Sequence, residues 1–209
     1  EPPLVVAIER QYGSGGREIG TLVGKQLGIP VFDHTLIDLT AQESGFPPSY
    51  VKQHEQEVRR GLLYNLYMQN YQRIGMEPNQ LDDLWLAQAH TIPKLADQGS
   101  CVIVGRYANA ILKERPCTFN VFVHAPLVPR IARVMERENV DHMKADAMIE
   151  RIDAERAEHC KHFTGTTWGE ADAYHLSFDS SLETSEKNAE IIAQLAQAAF
   201  PSAPLKPNP

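Results

Sequence analysis

Cysteine, basic charge and long apolar runs are all scarce in this chain of 209 residues. The three cysteines, Cys101, Cys117 and Cys160, are an odd number without CxxC spacing, which argues against a disulfide scaffold. Lysine and arginine total 20 against 27 aspartates and glutamates, and the net charge of −7 argues against nucleic acid or an anionic membrane as a partner. No apolar run approaches the roughly 20 residues that span a bilayer, and no signal-peptide pattern is present, so we expect a cytoplasmic protein.

What the chain does contain is a glycine-rich turn between an apolar strand and a helix start, within LVVAIERQYGSGGREIG from Leu4 to Gly20. The apolar residues that open this run favour a buried strand. The glycines after it allow positive φ and close approach of a ligand: Gly13, Gly15 and Gly16. Since free N–H groups at a helix start attract anions, we expect a phosphate here, with an ordinary tight strand–helix turn as the alternative.

The turn departs from the P-loop pattern GxxxxGK[ST]. Gly16 stands where the lysine is expected, and neither Arg17 nor Glu18 after it is the Ser or Thr that would contact the metal. Arg17 is the cation of the turn and could take over the charge, with a planar fork in place of a point charge. Ser14 is the nearest hydroxyl available to a magnesium ion.

Four further short apolar runs favour strands, at residues 29–33, 101–104, 120–124 and 176–178. Helical segments separate them, which predicts an α/β fold with a parallel sheet. Right-handed connections bring the strand ends, including the glycine turn and Asp33, to one edge of that sheet.

The length and a hydrophobic content of 43% predict one domain followed by a tail. Apolar residues recur at helical spacing before residue 98, so residues 45–98 form a helical insertion and the core comprises residues 1–44 and 99–200. Residues 135–170 are so polar that we expect them to be poorly anchored by burial and to move as a lid. The tail, residues 201–209, is rich in proline and is expected to be disordered.

The run from Glu9 to Ile37, ERQYGSGGREIGTLVGKQLGIPVFDHTLI, resembles the opening of the cytidylate kinase-like proteins, P-loop relatives in which GSGG replaces GSGK. Downstream, the strand and Gly-Arg pair VIVGR ends at Arg106, and Asp153 and Arg156 match the Asp-x-x-Arg of the family's lid. The resemblance implies a P-loop kinase-like three-layer fold with a parallel sheet, a helical insertion that binds the acceptor, and a lid.

The same resemblance implies an ATP-dependent kinase that acts on a nucleoside monophosphate. CMP or dCMP is the expected acceptor, and Mg²⁺ is expected to be bound to the nucleotide. Phosphoryl transfer depends on positioning and charge neutralisation, so the expected catalytic residues are arginines: Arg17, Arg106, Arg130 and Arg156. The expected ATP-binding residues are Gly13, Ser14, Gly15, Gly16, Arg17, Glu18 and Arg133. The expected acceptor-binding residues are Asp33, Arg106, Asp153 and Arg156.

Each charged candidate has an ordinary structural alternative. Asp33 can cap the helix that follows it. Arg106 can form a structural ion pair, and Arg133 can be a solvated surface side chain. Asp153 and Arg156 are three residues apart, so they can form a helical salt bridge.

Two other functions stay open. A nucleotide-binding module without catalysis is suggested by the missing lysine and by the acidic Glu18, where the turn has no Ser or Thr to contact the metal. A kinase for another small-molecule acceptor is suggested by Tyr107, which stands where cytidylate kinases have the aspartate of Gly-Arg-Asp.

Overall fold

A computed structural model describes residues 1–33 and 79–205, and within the helix Asn79–Gln98 it describes the side chains of residues 88, 89 and 91–98. In this part of the chain the strands are β1 (Val5–Arg10), β2 (Val31–Phe32), β3 (Cys101–Val104), β4 (Thr118–His124) and β5 (Leu176–Asp179). The helices are α1 (Gly16–Leu27), α2 (Asn79–Gln98), α3 (Ala108–Ile111), α4 (Leu127–Glu138), α5 (His142–Thr164) and α6 (Ser185–Ala199). Short 3₁₀ turns lie at Ala171–Ala173 and Ser180–Leu182.

The five strands form one parallel sheet in the order β2-β3-β1-β4-β5. Strand β1 is central, and its Val5 pairs with Cys101 of β3 on one side and Thr118 of β4 on the other. The chain therefore leaves β1 toward one half of the sheet and later returns to fill the other half. Such a switch point opens a crevice at the carboxyl ends of the strands, where ligands bind in open α/β folds.

The main core lies between the sheet and helices α1 and α6. Alternate residues of β1, β3 and β4 point to this side, because successive side chains of a strand face opposite ways. The cluster contains Leu4, Val6, Ile8, Ile19, Val23, Leu27, Ile29, Val102, Val104, Phe119, Val121, Val123, Ala189, Ile192, Ala193 and Ala196. This packing holds the crevice end of β1 in place.

A second, smaller cluster joins α4 to α5. It contains Tyr12, Ile131, Val134, Ala145, Ile149 and Ile152. Helix α5 begins with a cap in which the Asp141 side chain accepts a hydrogen bond from the Lys144 backbone N–H, and it ends at Gly165, whose φ of 71° is left-handed. The expectation that residues 135–170 are poorly anchored is wrong for this face of α5, because Ala145, Ile149 and Ile152 are buried against α4.

The predicted α/β fold with a parallel sheet is confirmed, and Cys101–Val104 matches its predicted bounds. The other strands differ by one to a few residues at their ends. Helix α3, with four residues, was not predicted. It follows a run of left-handed residues whose conformation depends on neighbouring strands. No local periodicity in the sequence therefore predicts this helix.

The chain divides into two compact units, Glu1–Phe32 with Leu95–Pro209, and Asp33–Lys94. The predicted insertion, residues 45–98, overlaps the second unit, and its residues 45–78 lie outside the described residues.

The tail was predicted to be disordered from residue 201, whereas the structure describes residues 201–205. Ala203 packs against the main core, and the Pro204 carbonyl accepts a hydrogen bond from Ser100 Oγ at 2.6 Å.

The three cysteines are free and buried, as expected for a chain without a disulfide scaffold. None of the helices in the described ranges is long and apolar enough to cross a membrane.

Candidate active site

The predicted glycine turn lies at the crevice, between the end of β1 and the start of α1. Gly13 and Gly15 have φ of 78° and 81°, a conformation that L side chains rarely adopt, and Gly15 is the N-cap of α1. Gly13 also lies so close to α4 that a Cβ there would be 2.8 Å from the carbonyl oxygen of Arg130. The glycines thus serve packing as well as the turn, and the helix that begins at Gly16 offers the kind of N-terminus that favours anions.

The turn is tied to its neighbours by Ser14 and Ser180. The Ser14 hydroxyl is buried and donates to the Gln11 carbonyl at 2.8 Å. Ser180 Oγ, which follows β5, donates to the Ser14 carbonyl at 2.6 Å and to the His124 carbonyl at 3.1 Å. Because the Ser14 hydroxyl donates its proton to Gln11, its oxygen lone pairs are the groups left to face a metal ion, and its predicted role as magnesium ligand stays a prediction.

A second strained turn follows β3, the neighbour of β1. Gly105, Arg106 and Tyr107 have φ of 80°, 62° and 54° in succession. The two non-glycine residues cost about 1–3 kcal/mol each in such a conformation, a kind of strain that clusters at functional sites. The Tyr107 backbone N–H donates to Glu9 Oε1 at 2.9 Å, and this buried carboxylate at the end of β1 holds the turn in place. The structure therefore places Arg106 at the end of β3, beside the glycine turn.

Arg130, Asp153 and Arg156, three of the predicted site residues, meet at one point beneath the glycine turn. Asp153 Oδ1 accepts from the Tyr12 backbone N–H at 2.7 Å, and Arg130 Nη1 donates to its Oδ2. Arg156 Nη1 lies 3.8 Å from Asp153 Oδ1 and donates to the Arg10 carbonyl at 2.8 Å. The helical salt bridge considered from the sequence is present, and the same groups also bind the backbone that leads into the turn.

Burial disfavours the charged form of Arg156. Burial lowers the pKa of its guanidinium to about 10, and the nearby charge of Arg10 lowers it further in the same direction, against the opposing effects of Asp153 and Glu9. An arginine whose ionised form is disfavoured in this way is stabilised by an added anion.

Arg133 and Glu18 form an exposed pair across the turn. Arg133 Nη1 donates to Glu18 Oε2 at 2.9 Å, with 38% and 57% of the two side chains exposed. A Cβ on Gly15 would lie 2.8 Å from Arg133 Cζ, so the guanidinium rests directly on the turn. Such an exposed pair contributes about 1 kcal/mol or less to stability, and it can open at little cost to admit a ligand.

Arg17 and Asp33 are the remaining predicted residues. Arg17 is exposed in the first turn of α1. Asp33 directly follows β2 and belongs to the second compact unit. Among the described residues no three His, Cys, Asp or Glu side chains are grouped closely enough to hold a metal ion.

Comparison with known proteins agrees with this arrangement. The family model described as "Cytidylate kinase-like family" matches residues 5–182, most of the chain. The chain belongs to the cytidylate kinase-like family. Among curated proteins, no sequence matches it significantly.

Solved structures similar to this family member show the fold. An uncharacterised protein from Eubacterium ventriosum ATCC 27560 is 22% identical with a TM-score of 0.71, over 94% of this chain and 99% of that one. A gluconokinase from Sinorhizobium meliloti 1021 is 15% identical with a TM-score of 0.53, over 97% and 98%. A shikimate kinase from Acinetobacter baumannii, in complex with shikimate, is 13% identical with a TM-score of 0.51, over 95% of each chain. The fold is that of the P-loop kinases.

This member departs from cytidylate kinases at Tyr107. Its side chain is buried, its hydroxyl donates to the Arg156 carbonyl at 3.3 Å, and burial raises its pKa. Tyr107 therefore joins the second turn to α5, in a position where cytidylate kinases carry a charged aspartate.

Two polar residues of the crevice are missing from the predicted set, Glu9 and Arg10. Glu9 is 3% exposed and Arg10 ends β1. The available signal was a charged pair at the end of an otherwise apolar strand, immediately before the glycine turn. An isolated charge pair at a strand end is usually solvated, so only its burial in the folded chain distinguishes it.

Proposed function

We propose that this chain is an ATP-dependent phosphotransferase that transfers the γ-phosphoryl group of ATP to a nucleoside monophosphate, with CMP or dCMP as the expected acceptor. Membership of the cytidylate kinase-like family and the P-loop kinase fold support a nucleotide-binding phosphotransferase. The observation that carries the proposal is the pairing of two strained turns at the ends of adjacent strands, the glycine turn after β1 and Gly105–Tyr107 after β3.

The glycine turn is the proposed triphosphate site. Backbone N–H groups at the start of α1 are proposed to bind the phosphate oxygens, whose charge the helix dipole favours. Arg133 rests on Gly15 and forms an exposed pair with Glu18 that opens at little cost, so it can turn to the nucleotide when ATP binds. Arg17, in the first turn of α1, adds positive charge on the exposed side.

Arg106 is the proposed ligand of the acceptor phosphate. It emerges from the second turn at the end of β3, which is the strand directly beside β1. An acceptor held there would have its phosphate next to the triphosphate, as transfer requires. Asp33, Asp153 and Arg156 are proposed to complete acceptor binding, and Arg130 and Arg156 to neutralise charge on the transferred group.

Magnesium is proposed to accompany ATP, held mainly by phosphate oxygens and water. Ser14 is the proposed direct ligand through its hydroxyl oxygen, whose proton goes to Gln11, and Glu18 is paired with Arg133. When bound, the ion would neutralise charge on the β- and γ-phosphates.

A second candidate is a kinase for a different small-molecule acceptor. Tyr107 favours it, because a buried tyrosine replaces the aspartate that cytidylate kinases present at this position. The phosphate-binding parts would be the same in both cases, and only the acceptor would differ.

The test is an ADP-release assay with the full chain, ATP and Mg²⁺ across CMP, dCMP, UMP, AMP and GMP, with direct detection of the diphosphate product. We expect turnover with CMP or dCMP well above the ATPase background without acceptor. ATP binding without turnover of any nucleoside monophosphate would contradict the proposal. A follow-up panel of sugar and carboxylate acceptors then separates the second candidate from a binding module without catalysis.

A further inference from the structure

The P-loop pattern and this chain differ at two positions that the fold brings together. When the second glycine of GxxxxGK is set on Gly15, the lysine falls on Gly16 and the first glycine falls on Arg10. A small residue thus stands where the pattern has a long cation, and a long cation stands where the pattern has a small residue.

The side chain of Arg10 occupies the space beside Gly16. A Cβ built on Gly16 would lie 2.5 Å from Arg10 Cβ and 2.9 Å from Arg10 Cγ. Real Cβ atoms essentially never approach so closely, and the nearest atom is the rigid beginning of a side chain. A lysine at position 16 is therefore incompatible with Arg10 in its present place.

The guanidinium of Arg10 lies between the two turns of the candidate site. Its stem crosses Gly16 in the glycine turn, and its Cζ is 3.0 Å from the position of a Cβ on Gly105 in the second turn. The side chain is 20% exposed, so part of it is accessible to a ligand. The phosphoryl group moves from the first turn toward the second in the proposed reaction, which places this cation along its path.

The charges around Arg10 leave room for an anion. Arg10 Nη1 is 3.9 Å from Glu9 Oε2, a long ion pair, and the other oxygen of Glu9 accepts the Tyr107 N–H. Arg130 and Arg156 share Asp153. These three guanidinium groups thus face two carboxylates, and the remaining positive charge suits a phosphate.

We propose that Arg10 supplies the phosphate-binding cation that lysine supplies in other P-loops, through a reciprocal exchange of positions 10 and 16. The inference rests on the proposed function for the identity of the ligand, ATP. It assigns this role to Arg10 at the end of β1, not to Arg17 on the exposed face of α1. Its planar fork can donate two parallel hydrogen bonds to one phosphate.

The first test measures binding of ATP and of inorganic tripolyphosphate to the full chain by calorimetry, so it does not require turnover. Arg10→Met keeps the apolar stem over Gly16 and removes the charge, and we expect it to weaken both ligands by about 10- to 100-fold. Arg17→Ala should weaken them by about threefold or less. Lys187→Met, which removes an exposed charge on α6, is the matched control and should bind as the wild type does.

Folding and charge are separated by a second variant. Arg10→Lys keeps a cation, so it should bind both ligands more tightly than Arg10→Met at an equal melting temperature. Wild-type affinity in Arg10→Met, or equal affinity in the Lys and Met variants, overturns the inference and leaves the proposed function intact. A wild-type chain that binds neither ligand overturns both.

The exchange itself is tested by restoring the usual pattern. Gly16→Lys alone should lose ATP affinity because its Cβ meets Arg10, whereas the double variant Arg10→Gly with Gly16→Lys removes that contact and should recover most of the lost affinity. Recovery in the double variant supports the exchange. A folded double variant that binds ATP no better than Arg10→Met overturns it.

Discussion

The crevice turns and the α4–α5 helix pair are built in different ways, although both contribute to the candidate site. In the turns the backbone sets the shape, with five left-handed residues: Gly13, Gly15, Gly105, Arg106 and Tyr107. In the helix pair, packed apolar side chains along one face set the shape, and charged residues cover the rest. A backbone-defined site tolerates little change, whereas a side-chain seam can adjust by small shifts of one helix on another.

The two regions meet at Asp153. This residue of α5 accepts the N–H of Tyr12, and Tyr12 itself packs into the cluster between α4 and α5. Movement of α5 would therefore displace the backbone that leads into the glycine turn. This contact gives the helix pair a direct physical route to the phosphate site.

The largest expected loss of stability comes from a glycine-to-alanine substitution in the glycine turn, compared with the same substitution at the end of α5. Gly13→Ala must place a Cβ 2.8 Å from the Arg130 carbonyl oxygen at φ 78°, so we expect a loss of about 3–4 kcal/mol in the free energy of unfolding. Gly165→Ala at the end of α5 has φ 71° but no atom within 4 Å, so its loss should be about 1 kcal/mol. Chemical denaturation measures both, and equal losses would contradict the contrast.

Removal of Asp153 should have the next largest effect. Asp153→Ala leaves Arg130 without its carboxylate and the Tyr12 N–H without its acceptor, which should cost about 2–3 kcal/mol. Asp153→Asn keeps an acceptor for the N–H and should lose less. Denaturant melts of the two variants check this, and an unchanged stability in Asp153→Ala would show that the regions are not joined there.

Substitution of Arg106 is expected to change acceptor binding and to leave ATP binding nearly unchanged. Arg106→Gln should raise the acceptor KM by about 10- to 100-fold through loss of charge-assisted hydrogen bonds to phosphate. The ATP affinity should change by about twofold or less. Arg151→Gln makes the same change on the helix pair, where Arg151 pairs with Glu155 at 3.4 Å, and should leave the acceptor KM unchanged. Equal weakening of ATP and acceptor, with a lower melting temperature, would instead indicate a structural ion pair at Arg106.

The lid prediction for residues 135–170 is still to be tested. ATP with its acceptor should slow amide hydrogen exchange between residues 144 and 168 by about three- to tenfold more than ATP alone, because closure adds contacts to the polar side of α5. The main core in α1 and α6 serves as internal control. Equal protection with and without both nucleotides would mean that this segment does not close.

The smallest expected effect is a pH dependence confined to the helix pair. Burial raises the pKa of Glu155 to about 7, against the lowering effect of Arg151. The unfolded chain releases this proton near pH 4.3. Between these values the folded state retains the proton, so its contribution to stability falls as pH rises toward 7 and then stays constant.

Glu155→Gln removes that dependence. Its stability relative to the wild type should therefore increase by about 1 kcal/mol from pH 5 to pH 8, measured as a widening difference in melting temperature. Glu190→Gln changes an exposed carboxylate of α6 that pairs with Lys187, and it should show no such gain. A constant difference between Glu155→Gln and the wild type across this range would contradict the prediction.

Local patterns were sufficient for the fold. Short runs rich in β-branched residues, such as VVAI and CVIV, favour buried strands, and their alternation with helices predicts a parallel sheet. The glycine turn was equally readable, because the need for positive φ is a property of a few consecutive residues. The anchoring of α5 was less readable, since its sparse apolar residues fall on one face and are buried there.

The sequence by itself determined the strands, the parallel α/β architecture and the place of the phosphate-binding turn, because these follow from local backbone preference and from apolar periodicity. Only the tertiary structure decided what each charge does. Asp153 reaches Tyr12, and Arg10 reaches Gly105, because strand order and helix packing bring distant residues together. Side-chain partners across such distances depend on which strands are neighbours and how helices lie on them, and no local pattern encodes that arrangement.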